Sequence, residues 1–152
     1  MTAFTAALVS NGEKKAVWDG YHAGKPARVP VMLGTNPRII LQDERLNIKG
    51  VTFRQYIEDP LTTLEIQKKK QDYVGTVLNR YTDSPVGPPE RYAFNVCWQN
   101  TFNAAYFGAP LEYRGNQVPD TAPICRDNPD AIFAAVDPGK PLDNPFIRKA
   151  LE

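Results

Sequence analysis

RVPVML at 28–33 is a short apolar run bounded by Pro26 and Gly34, and the fold prediction starts from it. A run of this length between turn-forming residues is typical of a buried strand, and Pro30 near its start is compatible with one. The next residues, GTNP at 34–37, predict a turn because glycine, asparagine and proline favour turn conformations. We therefore predict a buried strand that ends in a polar turn.

Helices are predicted on both sides of this strand. Upstream, apolar residues at roughly helical spacing predict a helix over 3–22. Downstream, Thr52 and Gln55 have the spacing of a capping box, in which each side chain satisfies a free backbone N–H of the other residue. Asp59 followed by proline then predicts the N-terminus of a longer helix over 60–80.

The remainder of the chain predicts a second strand and then shorter elements. YAFNVCW at 92–98 is rich in β-forming residues, and a strand–helix–strand order is typical of a parallel α/β sheet. Residues 101–107 predict a short helix ending at Gly108, and residues 111–118 predict a hairpin. A final helix is predicted to begin at Asn144, after a proline-rich loop.

Composition excludes several classes of protein. The chain has 152 residues, 42% hydrophobic and 23% charged, with a net charge of +1. These values are typical of a globular protein, and the near-zero charge favours neither nucleic acid nor an anionic membrane as a partner. No apolar run is long enough to span a membrane and no signal peptide is recognised, so we predict a cytoplasmic protein. Cys97 and Cys125 are then most simply free thiols.

Residues of strongly catalytic type are scarce. His22, the only histidine, lies at the end of the first predicted helix, where an inert surface role is favoured over catalysis. With Cys97 and Cys125 it does not form the three- or four-ligand cluster that zinc needs, so we predict no metal ligands. Phosphate-binding glycine loops and the nucleophile-elbow motif are also missing from the sequence.

Polar residues after the two predicted strands are the candidate binding residues. Asn36 and Arg38 follow the first strand, and Gln99 and Asn100 follow the second. The carboxyl ends of barrel strands carry the active site, amides can orient a substrate, and arginine can bind a carboxylate or phosphate bidentately. Two alternatives stay open: Gln99 and Asn100 could cap or turn the chain into the next helix, and Arg38 could be an ordinary surface residue.

An aromatic cluster accompanies the second of these segments. Trp98, Phe102, Tyr106 and Phe107 lie close together in the sequence. Packing is the favoured role for such a group, because aromatic side chains bury large apolar areas.

Three segments in order resemble the uroporphyrinogen decarboxylase superfamily. GKPARVPVMLG at 24–34 resembles the entry to the first strand of that family. FRQYIEDPLTTLEIQKKKQDYV at 53–74 resembles its short helix, proline turn and long helix. YAFNVCWQNTFNAAYFGAPLEYRGNQVPDTAPI at 92–124 resembles its second strand and the elements that follow. The resemblance covers about 13–152 and implies the N-terminal portion of a (β/α)₈ TIM barrel, incomplete in this chain. A complete barrel typically needs about 250 residues.

The family's two branches imply different chemistry. One branch removes carboxylates from porphyrinogens, with an arginine-rich loop after the first strand and an aspartate after the second. Here Arg38 stands in that loop, where the family has two arginines, and Gln99 falls at the aspartate's place. Since glutamine carries no charge, the resemblance favours the other branch, corrinoid and thiol methyltransferases. That branch takes its zinc ligands from the second half of the barrel.

We accordingly expect the N-terminal part of a corrinoid/thiol methyltransferase-type enzyme, inactive as this chain alone. Asn36, Arg38, Gln99 and Asn100 would bind a small-molecule substrate, while zinc and a corrinoid protein partner would serve a longer parent. The alternatives are a porphyrinogen-type decarboxylase with altered site residues, and a non-catalytic binding or assembly module. Unpaired strand edges invite association, so we also expect self-association.

Overall fold

The computed structural model describes residues 9–96, 101–124, 130 and 136–151. Of the described residues, 46% are in helices and 3% are in strands. In chain order the described elements are α1 (Asn11–His22), α2 (Arg38–Gln42), α3 (Phe53–Glu58), α4 (Pro60–Thr76), a 3₁₀ helix (Leu78–Tyr81), α5 (Phe102–Tyr106), β1 (Leu111–Glu112), β2 (Asp120–Thr121), a second 3₁₀ helix (Pro141–Asp143) and α6 (Pro145–Leu151).

The predicted α/β fold class, the N-terminal portion of a (β/α)₈ barrel, is wrong. Among the described residues the strands form one two-stranded antiparallel sheet, with Leu111 opposite Thr121 and Glu112 opposite Asp120. The first strand of this sheet lies in the hairpin predicted over 111–118, whereas the second strand lies just beyond those residues. A (β/α)₈ barrel requires parallel strands, which the described part of the chain does not contain.

Neither predicted barrel strand forms. Residues 28–33 and 92–96 have no regular secondary structure, and Cys97 and Trp98 lie outside the described residues. Val29 is 70% exposed and Met32 66%, so the first run is not buried. β-forming composition favours an extended backbone but supplies no partner strand to complete a sheet. This missing partner is why the composition misled the fold prediction.

Helix starts were predicted better than strands. α3 begins after Thr52, whose amide donates to Gln55 Oε1 at 2.9 Å while its hydroxyl accepts from the Gln55 amide at 3.2 Å. Asp59 caps α4 by accepting from the Leu61 amide at 3.1 Å. Asn144 caps α6 by accepting from the Phe146 amide at 2.9 Å. Each signal works within three residues and needs no tertiary contact.

The described residues divide into two compact units. The first unit comprises Met1–Ile48 and Leu64–Phe94; it contains α1, α2, most of α4 and the first 3₁₀ helix. Its apolar core includes Ile40, Leu41 and Ile66, which are at most 4% exposed. Because α2 buries two of these side chains in little more than one turn, the segment that enters it is firmly anchored.

The second unit comprises Lys49–Thr63 and Asn95–Glu152. Its core is built on Phe53 and Tyr56 of α3, both 1% exposed, together with Ala105, Ala109 and Val136. The Phe53 amide donates to Asn116 Oδ1 at 3.3 Å, which ties α3 to the hairpin loop. Burial of two large aromatic residues explains why so short a helix is stable.

Candidate functional site

The turn at 34–38 contains two of the four predicted binding residues. Asn36 Oδ1 accepts a hydrogen bond from the Arg38 amide at 2.9 Å, and the Asn36 carbonyl accepts from the Ile39 amide at 3.2 Å. Asn36 thus leads the chain into α2. Its side chain is exposed and that of Arg38 is half-buried. The structure therefore brings these two residues together at one turn.

The other two predicted binding residues, Gln99 and Asn100, lie outside the described residues. Cys97, Trp98 and Cys125 lie there as well. In the rest of the aromatic cluster, Phe102 is 41% exposed and so lies outside the core; its ring stacks with Tyr106 at 6.4 Å between centroids and meets Phe146 edge-on at 5.7 Å. These contacts favour a packing role for the aromatic residues.

A buried polar network that sequence reasoning missed holds the first unit together. The Asp83 carboxylate accepts two hydrogen bonds from the Arg28 guanidinium at 2.5 Å and one from the Val31 amide at 2.8 Å. The Asp83 amide donates in return to the Val31 carbonyl at 2.9 Å. Asp83 and Val31 are 52 residues apart in the sequence, so no local signal pointed to this role.

A buried lysine, Lys14, is also hydrogen-bonded in this part of the first unit. Lys14 in α1 is 1% exposed, and its ammonium donates to the backbone carbonyls of Asn79 and Ser84. Nearby, the Trp18 indole donates to the Asp83 carbonyl at 2.9 Å. Burial of a cation is tolerated only where hydrogen bonds replace its hydration. Lys14 therefore has a structural role in joining α1 to the segment after the 3₁₀ helix.

Arg28 also sets the ionisation of this site. The guanidinium, followed by the Val31 amide, lowers the pKa of Asp83 from 3.8 to about 2. The Asp83 carboxylate in turn raises the pKa of Arg28. Both groups stay charged at neutral pH, so the network is an anchor rather than a proton donor or acceptor.

A groove of about 600 Å³ lies in the first unit beside the turn. Gly75 and Gly87 meet there, with the Gly87 amide donating to the Gly75 carbonyl at 3.1 Å. An ideal Cβ on Gly75 would lie 2.0 Å from the Gly87 carbonyl oxygen, so this approach requires glycine. The wider lining mixes apolar and polar residues, among them Leu33, Gly34, Thr35, Lys70, Gln71, Val74, Asn79, Val86, Pro88 and Glu90.

Most amides that line the groove already hold loops in place. Gln71 exchanges hydrogen bonds with the backbone of Ala93 at 2.8 and 2.9 Å, and Asn79 donates to the Pro85 carbonyl at 2.7 Å. Lys70 differs, because its half-buried side chain makes no hydrogen bond or ion pair within the described ranges. The groove therefore presents the positive charge of Lys70 to an incoming ligand, and the surface that lines it is largely apolar.

His22, the only histidine, packs against other aromatic rings. The His22 ring stacks on Trp18 at 5.6 Å and meets Tyr21 edge-on at 5.8 Å. Within the described part of the chain, no group of three or more His, Cys, Asp and Glu residues is placed to hold a metal ion.

Tyr113, in the second unit, has a strongly raised pKa. Burial, together with the negative charge of Glu58, raises the pKa of Tyr113 to about 12, while the nearby cation of Arg54 opposes the shift. The Arg54 guanidinium lies 4.7 Å from the centroid of the Tyr113 ring, within range of a cation–π interaction. Tyr113 therefore remains a neutral phenol at physiological pH, and it packs rather than acting as a base.

None of the described helices combines the length and apolar character needed to cross a bilayer. Comparison with protein-family models, curated proteins and solved structures finds no match to this chain.

Proposed function

We propose that this chain is the N-terminal part of a uroporphyrinogen decarboxylase-like enzyme of the corrinoid/thiol methyltransferase type, in which it binds and orients a small anionic substrate. The three ordered segments of sequence resemblance support this family. The chemistry of methyl transfer would come from the rest of the parent enzyme, with zinc and a corrinoid protein. A cytoplasmic location is part of the proposal.

The observation that carries the proposal is the lining of the groove beside the turn. Gly34 and Thr35, which follow the run at 28–33, line the same groove as Lys70. Lys70 supplies an uncommitted positive charge, and Leu33 and Val74 supply apolar surface. A small molecule with one carboxylate and a short apolar or thiol-bearing chain suits this combination.

Asn36 and Arg38 would act next to the groove rather than inside it. Asn36 Oδ1 accepts a hydrogen bond from the Arg38 amide, so the side-chain NH₂ is the group of Asn36 that would donate to a substrate. Arg38 carries a second positive charge at the first turn of α2, whose burial holds it in position. In this proposal the two residues select the charge of the substrate and do not break bonds.

The substrate class is tested by titrating the chain with 3-mercaptopropionate while recording amide NMR spectra. We expect shifts at Gly34, Thr35 and Lys70 that 3-mercaptopropionamide, the uncharged analogue, does not reproduce. Lys70→Met should weaken binding about tenfold, because a charge-assisted hydrogen bond is lost. Lys25→Met, which removes an exposed lysine away from the groove, should leave binding unchanged. Equal binding by both variants would refute the proposed substrate site.

The family assignment is tested separately on the source DNA. Reading the frame beyond the codon for Glu152 should reveal a His-x-Cys motif and a later cysteine, the ligands that the methyltransferase branch uses. The protein encoded by that frame, loaded with zinc, should transfer a methyl group from methylcobalamin to 3-mercaptopropionate. A frame that encodes neither motif would contradict the methyltransferase proposal.

A binding or assembly module is the second candidate, and the exposed apolar run at 28–33 favours it. Val29, Val31, Met32 and Leu33 are each at least 47% exposed. Contiguous exposed apolar surface is typical of an interaction site.

A further inference from the structure

The segment around Met32 has one occupied edge and one open edge. Val31 bonds through both its amide and its carbonyl to Asp83, at 2.8 and 2.9 Å. The Val31 amide donates to the Asp83 carboxylate and the Val31 carbonyl accepts from the Asp83 amide, so both groups lie on the same side of the chain, as they do in an extended backbone. In an extended chain the backbone groups of the next residue point to the opposite side. The Met32 amide and carbonyl therefore face away from Asp83.

This opposite edge is available for pairing. Within the described ranges, Pro30, Met32 and Gly34 make no backbone hydrogen bond. Met32 is 66% exposed, and the side chains of Val31 and Leu33 are also accessible, at 51% and 47%. An unpaired edge with apolar side chains is a template for adding a further strand.

We propose that this edge pairs antiparallel with the same edge of a second copy of the chain, across a two-fold axis at Met32. A second copy of the same segment fits this edge because, when the two copies run antiparallel, the backbone N–H groups of one lie opposite the backbone C=O groups of the other. The two Met32 residues would exchange both of their backbone hydrogen bonds. On either side the Pro30 carbonyl would accept from the Gly34 amide of the other copy. Pro30 lacks an N–H, and in this register the lost bond is confined to the ends of the pairing.

Side chains and charges agree with this register. Val31 of one copy lies opposite Leu33 of the other on one face, and the two Met32 side chains meet on the other face, so every central pair is apolar. The nearest charge, on Arg28, is engaged by the Asp83 carboxylate. No like charges therefore meet across the axis. An interface that uses the same patch on both copies closes at a dimer. This inference goes beyond the proposed substrate site and does not depend on it.

The test measures the mass of the purified chain in solution by light scattering and sedimentation over a range of concentrations. We expect a dimer. Met32→Lys should weaken dimerisation about tenfold, because two like charges would face each other across the axis. Ile48→Lys, which adds the same charge at a residue that is 80% exposed in the same unit, should leave the dimer intact.

A charge-swap experiment then tests the register itself. Met32→Glu should also weaken dimerisation, and mixing it with Met32→Lys should restore a dimer, because opposite charges would then pair. Circular dichroism of each variant should show unchanged helix content. A wild-type chain that stays monomeric at every concentration overturns the proposal. So does a dimer that survives Met32→Lys, or a mixture that stays monomeric.

Discussion

The carboxylate of Asp83 and the guanidinium of Arg28 form a two-bond ion pair that links positions 55 residues apart in the sequence. Asp83 is 4% exposed, and the pair holds Val31 and the rest of the 28–33 segment against the first unit. This contact does what a neighbouring strand would do in a sheet. It fixes one edge of an apolar segment and leaves the other edge open.

Acid should weaken the ion pair between Asp83 and Arg28 over a defined range of pH. The pKa of Asp83 is about 2 in the folded protein, against an ordinary value of 3.8. Because the unfolded chain binds the proton more readily, the contribution of Asp83 to stability is complete above pH 3.8 and is lost as the pH falls toward 2. Thermal unfolding followed by circular dichroism across this range should show a steep fall in Tm.

Asp83→Asn should lower Tm at neutral pH and flatten its dependence on pH in this window. It replaces a charged partner of Arg28 with a neutral one and leaves the guanidinium poorly matched. Asp19→Asn is the control, because Asp19 pairs with Lys15 on an exposed helix surface where an ion pair contributes little. If both variants showed the same Tm and the same pH profile, Asp83 would not be the anchor.

Gly75→Ala should destabilise the first unit by about 1–3 kcal/mol, the usual cost of overpacking. The added Cβ would lie 2.0 Å from the Gly87 carbonyl oxygen, so the backbone must move. Gly12→Ala in α1 is a matched control: its nearest neighbour would be Ser10 Oγ at 3.9 Å. It should be neutral or stabilising by up to about 1 kcal/mol. Urea unfolding measures both changes, and equal effects would contradict the packing argument.

Thr52→Ala should cost about 0.5–2 kcal/mol, because it removes the hydroxyl that accepts from the Gln55 amide. Gln55→Glu should be almost neutral, since glutamate completes a capping box as well as glutamine does. Urea unfolding of the two variants provides the measurement. A Thr52→Ala protein as stable as wild type would show that burial of Phe53 and Tyr56, rather than the cap, determines where α3 begins.

Alkaline titration should reveal a late-titrating component from Tyr113. The pKa of Tyr113 is raised to about 12 from an ordinary 10.0, mainly by burial, so its absorbance change should come later than that of an ordinary tyrosine. Since the raised pKa favours the protonated folded state, its contribution to stability is present below pH 10 and is lost as the pH rises through 12.

Tyr113→Phe should remove this late component, and Tyr81→Phe, at a residue that is 75% exposed, should not. Ultraviolet absorbance of the phenolates distinguishes the two variants. A late component that persists in Tyr113→Phe would assign it to another tyrosine.

Three local signals in the sequence were read correctly, whereas the capping box of Ser10 and Glu13 that starts α1 was missed. Thr52 with Gln55, Asp59 before Pro60, and Asn144 each satisfy backbone groups within three residues, so these helix starts could be predicted without knowing the fold. The helix that ends near Gly108, where φ is +91°, is a further case.

Tertiary structure decided whether the apolar run at 28–33 became a strand. Its sequence favours an extended backbone, but a strand needs a partner, and the partner that Val31 finds is the side chain and amide of Asp83. The same holds for the candidate site. Asn36 and Arg38 were predicted from their position after the run, whereas the groove depends on Lys70 and on the contact between Gly75 and Gly87. Spacing along the chain carries no information about contacts that form only when distant segments pack together. The helix caps and turns could therefore be predicted from the sequence alone. The fold class and the groove depend on tertiary packing, so they could not.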